Sequence, residues 1–255
     1  MTDEKRKEVL ELLIKGCSPG SIIERNIPSF LYKYRSGNDN DLNALENDSI
    51  WMGNATMMDD PLDSKVMITD GFKNQIKYVV NNVDRFKEDK YKIHLNDDSI
   101  QKECFLCSLS EINDSEDMWK RYANDEQGIC IEYNAKELLT GINLPLLPVC
   151  YDKKISYDAK TLAALGKAEM IFINFLVKDK VGIHGEDWHS QREWRIIAFP
   201  KNLALNETEK KGKCIRIIKP TKIILGKNIS YKVKNRIMNW IEKAGNENIV
   251  IVQRE

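Results

Sequence analysis

Residues 104 to 110, which read CFLCSLS, most constrain what this chain can fold into. The side chains of a β-strand point alternately to its two faces, and this stretch carries apolar side chains on both of them. A strand of this kind is typical of the centre of a sheet, where both faces are covered. We therefore expect a central strand here, with neighbouring strands and with helices packed against the sheet.

Other predicted strands show alternating patterns or runs of β-branched and aromatic residues, bounded by turn residues. They are residues 30–36, 49–55, 129–134, 191–200 and 248–255, with two short strands within 214–228 on either side of Pro220 and an edge strand or tether over 144–152. Helical spacing predicts long helices over 3–15, 64–90, 158–180 and 230–245, with shorter ones in between. With no repeat or linker in the sequence, the pattern predicts one α+β chain with a mixed or antiparallel sheet of short strands. We expect an N-terminal helix and lead-in over 1–29, followed by a single α+β domain over 30–255.

Charge and hydropathy exclude several classes of protein. The chain of 255 residues has 39 Lys and Arg against 39 Asp and Glu, which argues against generic binding to nucleic acid or to an anionic membrane. No apolar run approaches the roughly 18 residues of a membrane helix. The charged N-terminal stretch lacks the apolar middle and cleavage site of a signal peptide. We expect a cytoplasmic protein without a membrane partner.

The cysteines indicate a reducing compartment rather than a disulfide framework. Cys104, Cys107, Cys130 and Cys150 stand in apolar contexts, which is typical of reduced core residues. Cys104 and Cys107 form a C-x-x-C pair, but no second pair of ligands stands at matching spacing. We therefore expect no metal site.

The stretch QREWRII at 191–197 carries the strongest candidate for chemistry. On a strand, Glu193 and Arg195 share one face, roughly 6–7 Å apart along the strand, while Trp194 faces the other side. Spacing alone favours an ion-pair ladder on a solvated face, worth under about 1 kcal/mol. The functional alternative is that Glu193 is a buried carboxylate whose pKa is lowered by Arg195.

The stretch LYKYRS at 31–36 carries a second candidate, Arg35, on a predicted inner strand. A buried guanidinium needs an anionic partner. Glu193, Asp60 or a bound phosphate are the partners that the sequence offers, and the spacing does not choose among them.

Four further residues are candidates for the site, and for three of them, Asp60, Trp119 and Tyr122, the pattern has both a structural and a functional interpretation. Asp60 lies in MMDDPLDS, which is either a capped turn or the rim of a pocket. Ser108 shares a strand face with Leu106. Trp119 and Tyr122 share one face of a predicted short helix, either as core residues or as an aromatic wall beside a ligand.

Several of these stretches, taken in order, resemble a bacterial family of unknown function, number 2971 among such domains. They are LYKYRS, IWMGNATMMDDPLD, CFLCSLSE, SEDMWKRYA, DEQGICIEY and WHSQREWRI, within residues 30 to 200. The family usually has Asn before its Asp-Pro pair, whereas this chain has Asp59 before Asp60 and Pro61. The family implies no activity.

The order of elements is also similar to that of the ADP-ribosyltransferase superfamily, at the level of the fold. That resemblance implies NAD as the substrate, with Arg35 at the adenosine ribose, Tyr34 or Trp51 as an aromatic neighbour and Glu193 at the nicotinamide ribose. A carboxylate there stabilises the positive charge that develops as the nicotinamide–ribose bond breaks. An enzyme of this kind transfers ADP-ribose to an acceptor that the sequence does not identify, as a toxin or phage-defence effector does.

The sequence therefore leaves three functions open. The first is an NAD-consuming enzyme with Glu193 as its catalytic residue and without a metal. The second is a non-catalytic module that binds or senses a ligand, and the third is a metal-dependent nuclease that uses Asp59, Asp60 and Asp63. The candidate nucleotide-binding residues are Tyr34, Arg35, Trp51, Asp60, Ser108, Trp119, Tyr122 and Arg195.

Overall fold

The computed structural model describes residues 1–60, 63–64, 67–68, 74, 99–152, 156–157, 174–205, 209–243 and 245–255. The long helices predicted over 64–90 and 158–180 lie largely outside these residues. Two described pieces correct the prediction, because Met67–Ile68 and Val177–Lys178 are strands. Each pairs in parallel with another short strand, so backbone hydrogen bonds to a neighbour replace those of a helix.

Eight helices are found in the described part of the chain. They are α1 (Asp3–Ile14), α2 (Gly20–Asn26), α3 (Asp39–Glu46), α4 (Ser99–Lys102), α5 (Glu116–Tyr122), α6 (Ala135–Gly141), α7 (Pro200–Leu203) and α8 (Tyr231–Lys243). The sequence predicted α1, α3, α5 and α8. It missed the other four, which have four to seven residues, or about one to two turns each.

Side-chain caps fix where several helices begin. Asn38 accepts a hydrogen bond from the Asp41 amide at 3.0 Å and so caps α3. The cap of α5 is Ser115. Ser115 places its hydroxyl oxygen 3.4 Å from the Met118 amide, and this fixes the start of the helix that carries Trp119.

Thirteen strands are found in the same residues. They are β1 (Phe30–Arg35), β2 (Ser49–Asn54), β3 (Met67–Ile68), β4 (Phe105–Ser110), β5 (Ile129–Asn134), β6 (Leu146–Pro148), β7 (Cys150–Tyr151), β8 (Ser156–Tyr157), β9 (Val177–Lys178), β10 (Glu193–Ala198), β11 (Gly212–Arg216), β12 (Lys222–Leu225) and β13 (Val250–Gln253). Nine of them form one sheet in the order β11-β2-β4-β1-β5-β12-β13, with β10 beside β4 and β6 beside β10. Its pairs are antiparallel except for β12 with β13, so the predicted mixed α+β fold is confirmed.

Strand β4 is the central strand that CFLCSLS predicted, and it pairs with three others. One edge pairs with β10 over its whole length, from Phe105 to Ser110. The other edge is shared, because β1 pairs only at Ser110 and β2 only at Leu106 and Phe105. No described strand pairs with that edge between Cys107 and Leu109. The sheet therefore has an opening between β1 and β2, which we call the sheet opening.

The hydrophobic core contains strand β10 and the cysteines that the sequence placed in apolar contexts. All six residues of β10 are buried, with Trp194 and Ile196 in the hydrophobic core. Cys104, Cys107, Cys130 and Cys150 are all buried, as expected for core cysteines. Among the described helices, none has the length and apolar character needed to cross a membrane.

Helix α1 is attached to the strand that carries Glu193. The fully buried guanidinium of Arg6 donates to the carbonyl oxygens of Glu193 and Val149, at 2.8 and 2.9 Å. It also forms an ion pair with Glu111 at 2.5 Å. Although the sequence predicted α1 as part of a lead-in, the helix thus supports the backbone of β10 directly.

Candidate functional site

A cavity of about 470 Å³ lies at the sheet opening. Its walls are formed by β1, β2, β4, the loop after β2, α5 and the start of β10. Pockets of this size accommodate small-molecule ligands. Seven of the predicted site residues line it, namely Tyr34, Arg35, Trp51, Asp60, Ser108, Tyr122 and Glu193.

Glu193 is buried at this cavity, which corrects the solvated ladder that its spacing favoured. The residue is only 4% exposed and Arg195 is 0% exposed. The ion pair between them is present as predicted, with Arg195 Nε 2.7 Å from Glu193 Oε1 and Nη2 3.2 Å from Oε2. The ladder fails because Asp63, Lys178 and the Phe175 carbonyl group lie against these two side chains, a tertiary effect that local spacing does not encode.

Two further charges complete the cluster around Glu193. The Asp63 carboxylate accepts from Nη1 and Nη2 of Arg195 at 2.9 and 2.6 Å. Lys178 Nζ lies 3.3 Å from Glu193 Oε2 and 3.6 Å from Asp63 Oδ2. We call Asp63, Lys178, Glu193 and Arg195 the buried charge cluster. Its two positive and two negative charges offset each other, which makes their burial tolerable.

Arg195 does not line the cavity but lies behind Glu193. Its fifth N–H is occupied as well, because Nη1 also donates to the Phe175 carbonyl oxygen at 2.8 Å. All five donors of the guanidinium are therefore engaged within the protein. Arg195 holds Glu193 in place, and a direct contact with a ligand, as the sequence predicted, would require one of these bonds to break.

The buried charge cluster sets the ionisation of Glu193. Burial alone raises the pKa of a carboxyl group, but the charges of Arg195 and Lys178 and the hydrogen bond from Arg195 outweigh it. The pKa of Glu193 is consequently lowered to about 2. Glu193 is thus an anion at neutral pH, fixed in position at the wall of the cavity.

Arg35 lies at the rim of the cavity with a partner that the sequence did not suggest. Its Nε is 3.7 Å from Asp41 Oδ1, on α3, and no ion pair joins it to Glu193 in the described chain. Strand alternation explains this, because Tyr32 stands opposite Ser110 in the sheet and Ser110 stands opposite Glu193. Tyr32 and Glu193 therefore share one face, and Arg35 projects from the other.

Tyr34 and Trp119 pack against each other, but only Tyr34 reaches the cavity. Their rings meet edge to face with centroids 5.4 Å apart. The Tyr34 hydroxyl donates to the Ile112 carbonyl oxygen at 3.0 Å, and the Trp119 indole donates to the Asn113 carbonyl oxygen at 2.8 Å. Trp119 is fully buried and does not line the cavity, so it has the core position that was the structural interpretation of its pattern.

Tyr122 lines the cavity one helical turn after Met118. Its hydroxyl accepts a hydrogen bond from Gln191 Nε2 at 3.1 Å. The backbone carbonyl of Gln191 accepts in turn from the Ser110 hydroxyl at 2.7 Å. These bonds connect α5 to Gln191, just before Glu193, and fix the Tyr122 ring near Glu193.

The other predicted residues occupy different depths of the wall. Trp51 is 38% exposed and Ser108 is half-buried, whereas Asp60 is buried. Trp51 is therefore the aromatic side chain at the mouth of the cavity, and Asp60 lies in its wall. Their contacts with a ligand remain predictions.

Sequence reasoning missed three residues of the site: Lys33, Lys178 and Gln191. Lys33 lines the cavity from the face of β1 opposite Tyr32 and Tyr34. Lys178 stands within a pattern that predicted a helix. A lysine directly after the apolar run FLV was the only local signal for Lys178, and it does not identify the partner.

Comparison with known proteins gives one match. Residues 118–196 match the model of a family described as proteins of unknown function, DUF2971. The match confirms the first resemblance over a segment that contains Tyr122, Lys178, Glu193 and Arg195. No curated protein and no solved structure matches the chain.

Proposed function

We propose that the cavity binds a nucleotide of the NAD type, and that Glu193 promotes cleavage of the bond between nicotinamide and ribose. The observation that carries this proposal is the position of Glu193, a buried carboxylate that is held ionised at the wall of a ligand-sized cavity. The resemblance to ADP-ribosyltransferases supplies the substrate class. It is an analogy of fold, so the substrate depends on the test below.

A fixed anion suits this reaction for a physical reason. Cleavage of the nicotinamide–ribose bond develops positive charge on the sugar, as in glycoside hydrolysis. A carboxylate that is already ionised and oriented stabilises this charge more than it stabilises the ground state. Glu193 needs no reorganisation to do so, because Arg195 and Lys178 hold it.

The hydrogen bonds of Glu193 leave room for a substrate. An ionised carboxylate offers about four acceptor positions. Within the described chain, Glu193 Oε1 accepts one side-chain hydrogen bond, from Arg195, and Oε2 accepts two, from Arg195 and Lys178. One position on Oε1 thus remains for a ribose hydroxyl group.

The walls of the cavity suit the remaining parts of a dinucleotide. Tyr34, Tyr122 and Trp51 offer aromatic surface to planar bases. Arg35 at the rim offers a planar guanidinium to a ribose or phosphate oxygen. The acceptor of the ADP-ribose group is a macromolecule or water, and the two outcomes differ in their products.

The test is release of nicotinamide from NAD by the full chain, measured by liquid chromatography. Glu193→Gln keeps the shape of the side chain but removes its charge, and we expect it to lower the rate by at least about 100-fold. Glu132→Gln is the matched control, because Glu132 is also a buried glutamate on the sheet, paired with Lys222 at 3.2 Å and outside the cavity. We expect this control to keep its turnover.

Absence of turnover by the folded wild-type chain, with no effect of either substitution, would contradict the enzymatic proposal.

A second function, a non-catalytic binding module, is favoured by a different observation. Every N–H of Arg195 is bonded inside the protein, as in a network whose role is structural. A binding module of this kind predicts that NAD raises the melting temperature of the protein without being consumed.

A further inference from the structure

The sheet opening leaves part of the backbone of β4 without a strand beside it. A buried carbonyl group needs a hydrogen-bond partner. At Ser108 that partner is a side chain, because Lys33 Nζ donates to the Ser108 carbonyl oxygen at 2.7 Å. This bond places the Lys33 ammonium group within the opening, at the wall of the cavity.

The other cations that line the cavity are engaged with carboxylates. Arg35 is 3.7 Å from Asp41, Arg121 is 2.8 Å from Asp117, and Lys178 is 3.3 Å from Glu193. Lys33 has no ion pair in the described chain. Among the residues that the structure describes, its one hydrogen bond uses one of the three donors of the ammonium group, which leaves two donors for a ligand.

We propose that Lys33 binds an anionic oxygen group of the ligand, a phosphate in the case of a nucleotide. The nucleotide rests on the proposed function, whereas the anion site follows from the position of Lys33 alone. Lys33 and Glu193 then divide the cavity, so that the cation holds the phosphate and the carboxylate faces the sugar. Arg35, which the resemblance assigned to the nucleotide, has only a secondary part because Asp41 offsets its charge.

The surroundings of Lys33 give the site a pH dependence. Burial lowers the pKa of Lys33 from its usual value, and Arg35 on the same strand lowers it further. Cys107 on β4, Glu193 on β10 and Asp41 on α3 act in the opposite direction and leave the pKa below normal. A bound anion favours the protonated amine, so affinity is highest below this pKa and falls as pH rises through it.

The experiment measures the binding of ADP, pyrophosphate, inorganic phosphate and adenosine by calorimetry. Lys33→Met removes the charge and keeps an apolar stem, whereas Lys33→Arg keeps the charge. We expect Lys33→Met to weaken the binding of ADP and of pyrophosphate about tenfold or more, which is the effect of losing a hydrogen bond to a charged group. Adenosine binding should stay unchanged. Lys213→Met, at a lysine on β11 outside the cavity, is the matched control.

A measurement on the wild-type chain covers the case in which Lys33→Met fails to fold. Reductive methylation followed by peptide mass spectrometry should label Lys33, and ADP should protect it while adenosine should not. Affinity for ADP should fall with rising pH in the wild type and stay level in Lys33→Arg. Equal ADP affinity in wild type and Lys33→Met, or no protection by ADP or pyrophosphate, would overturn the assignment.

The two proposals fail in different ways. Lys33-dependent binding of ADP without release of nicotinamide from NAD contradicts the enzymatic function and supports the anion site. Release of nicotinamide with a KM for NAD that Lys33→Met leaves unchanged supports the function and contradicts the site. If phosphate and pyrophosphate bind through Lys33 as tightly as ADP, the site takes free phosphates rather than nucleotides.

Discussion

The Asp63 carboxylate is held by both terminal nitrogens of Arg195, at 2.6 and 2.9 Å, across 132 residues of sequence. The contact joins the loop after β2 to the strand that carries Glu193. Since Nε and Nη2 of the same guanidinium donate to Glu193, one arginine fixes both carboxylates. The geometry of the cavity wall therefore depends on a residue that does not line it.

Replacing Arg195 should lower the free energy of unfolding more than replacing any exposed arginine does. Arg195→Met leaves Glu193 and Asp63 with Lys178 as their shared cation, and loss of one partner from a buried ion pair costs about 3–5 kcal/mol. Arg236→Met is the comparison, because the ion pairs of Arg236 with Glu46 and Asp39 are partly exposed to solvent, so this variant should lose clearly less stability than Arg195→Met. Urea denaturation followed by circular dichroism gives both values. Similar losses in the two variants would contradict the role given to Arg195.

The lowered pKa of Glu193 should make stability depend on pH in acid. The unfolded chain titrates this group near 4.3, whereas the folded chain titrates it at about 2. Its contribution is therefore fully present above pH ~4.3 and is lost as the pH falls toward 2. Glu193→Gln cannot titrate, so the slope of unfolding free energy against pH should be shallower in that variant between pH 4.5 and 2.5. Unchanged slopes would show that Glu193 has an ordinary pKa.

The sequence predicted the pair of Glu193 and Arg195 but not its burial. Two residues apart on one strand, their side chains meet in any context, so local spacing is sufficient for the contact. Whether the face is exposed depends on Asp63 and Lys178, which come from segments remote in the chain. The partner of Arg35 was missed for a different reason, because Asp41 lies only six residues further along the chain, and residue spacing does not show that the turn after β1 brings α3 back beside Arg35.

The sequence was sufficient to predict an element of the fold when the residues of that element alone show its structure. CFLCSLS predicted a central strand because both faces are apolar, and β4 has that place. No comparable pattern in the sequence predicted the sheet opening. It arises because β1 and β2 each end their pairing with β4 early, and strand ends depend on the register of three strands together.

The two tryptophans near the cavity should respond differently to truncation. Trp119 is fully buried, so Trp119→Ala should lower the free energy of unfolding by about 3–5 kcal/mol. Trp51 is 38% exposed at the cavity mouth, so Trp51→Ala should cost much less stability. We expect Trp51→Ala instead to weaken NAD or ADP binding, measured by calorimetry, because stacking surface is lost. If Trp51→Ala leaves affinity unchanged, the aromatic mouth does not contact the base.

Gly128 connects the turn after α5 to β5 and leaves no space for a side chain. A Cβ atom there would lie 2.2 Å from the Arg35 carbonyl oxygen and 2.9 Å from that of Ala123. Both obstacles are backbone atoms, so Gly128→Ala must displace β1 at Arg35, which is paired with Ile129 in the sheet. We therefore expect a loss of stability together with weaker ligand binding, because Arg35 and Lys33 move with the strand.

Gly20→Ala is the matched control for this substitution. Gly20 begins α2, and a Cβ atom there meets only the Ser18 hydroxyl at 3.4 Å. Alanine has the higher helix propensity, so the control should be neutral or slightly stabilising, by up to about 1 kcal/mol. Thermal denaturation and ADP calorimetry on both variants separate the outcomes. Wild-type melting and affinity in Gly128→Ala would mean that β1 tolerates the displacement, and that the cavity does not depend on its close contact with this turn.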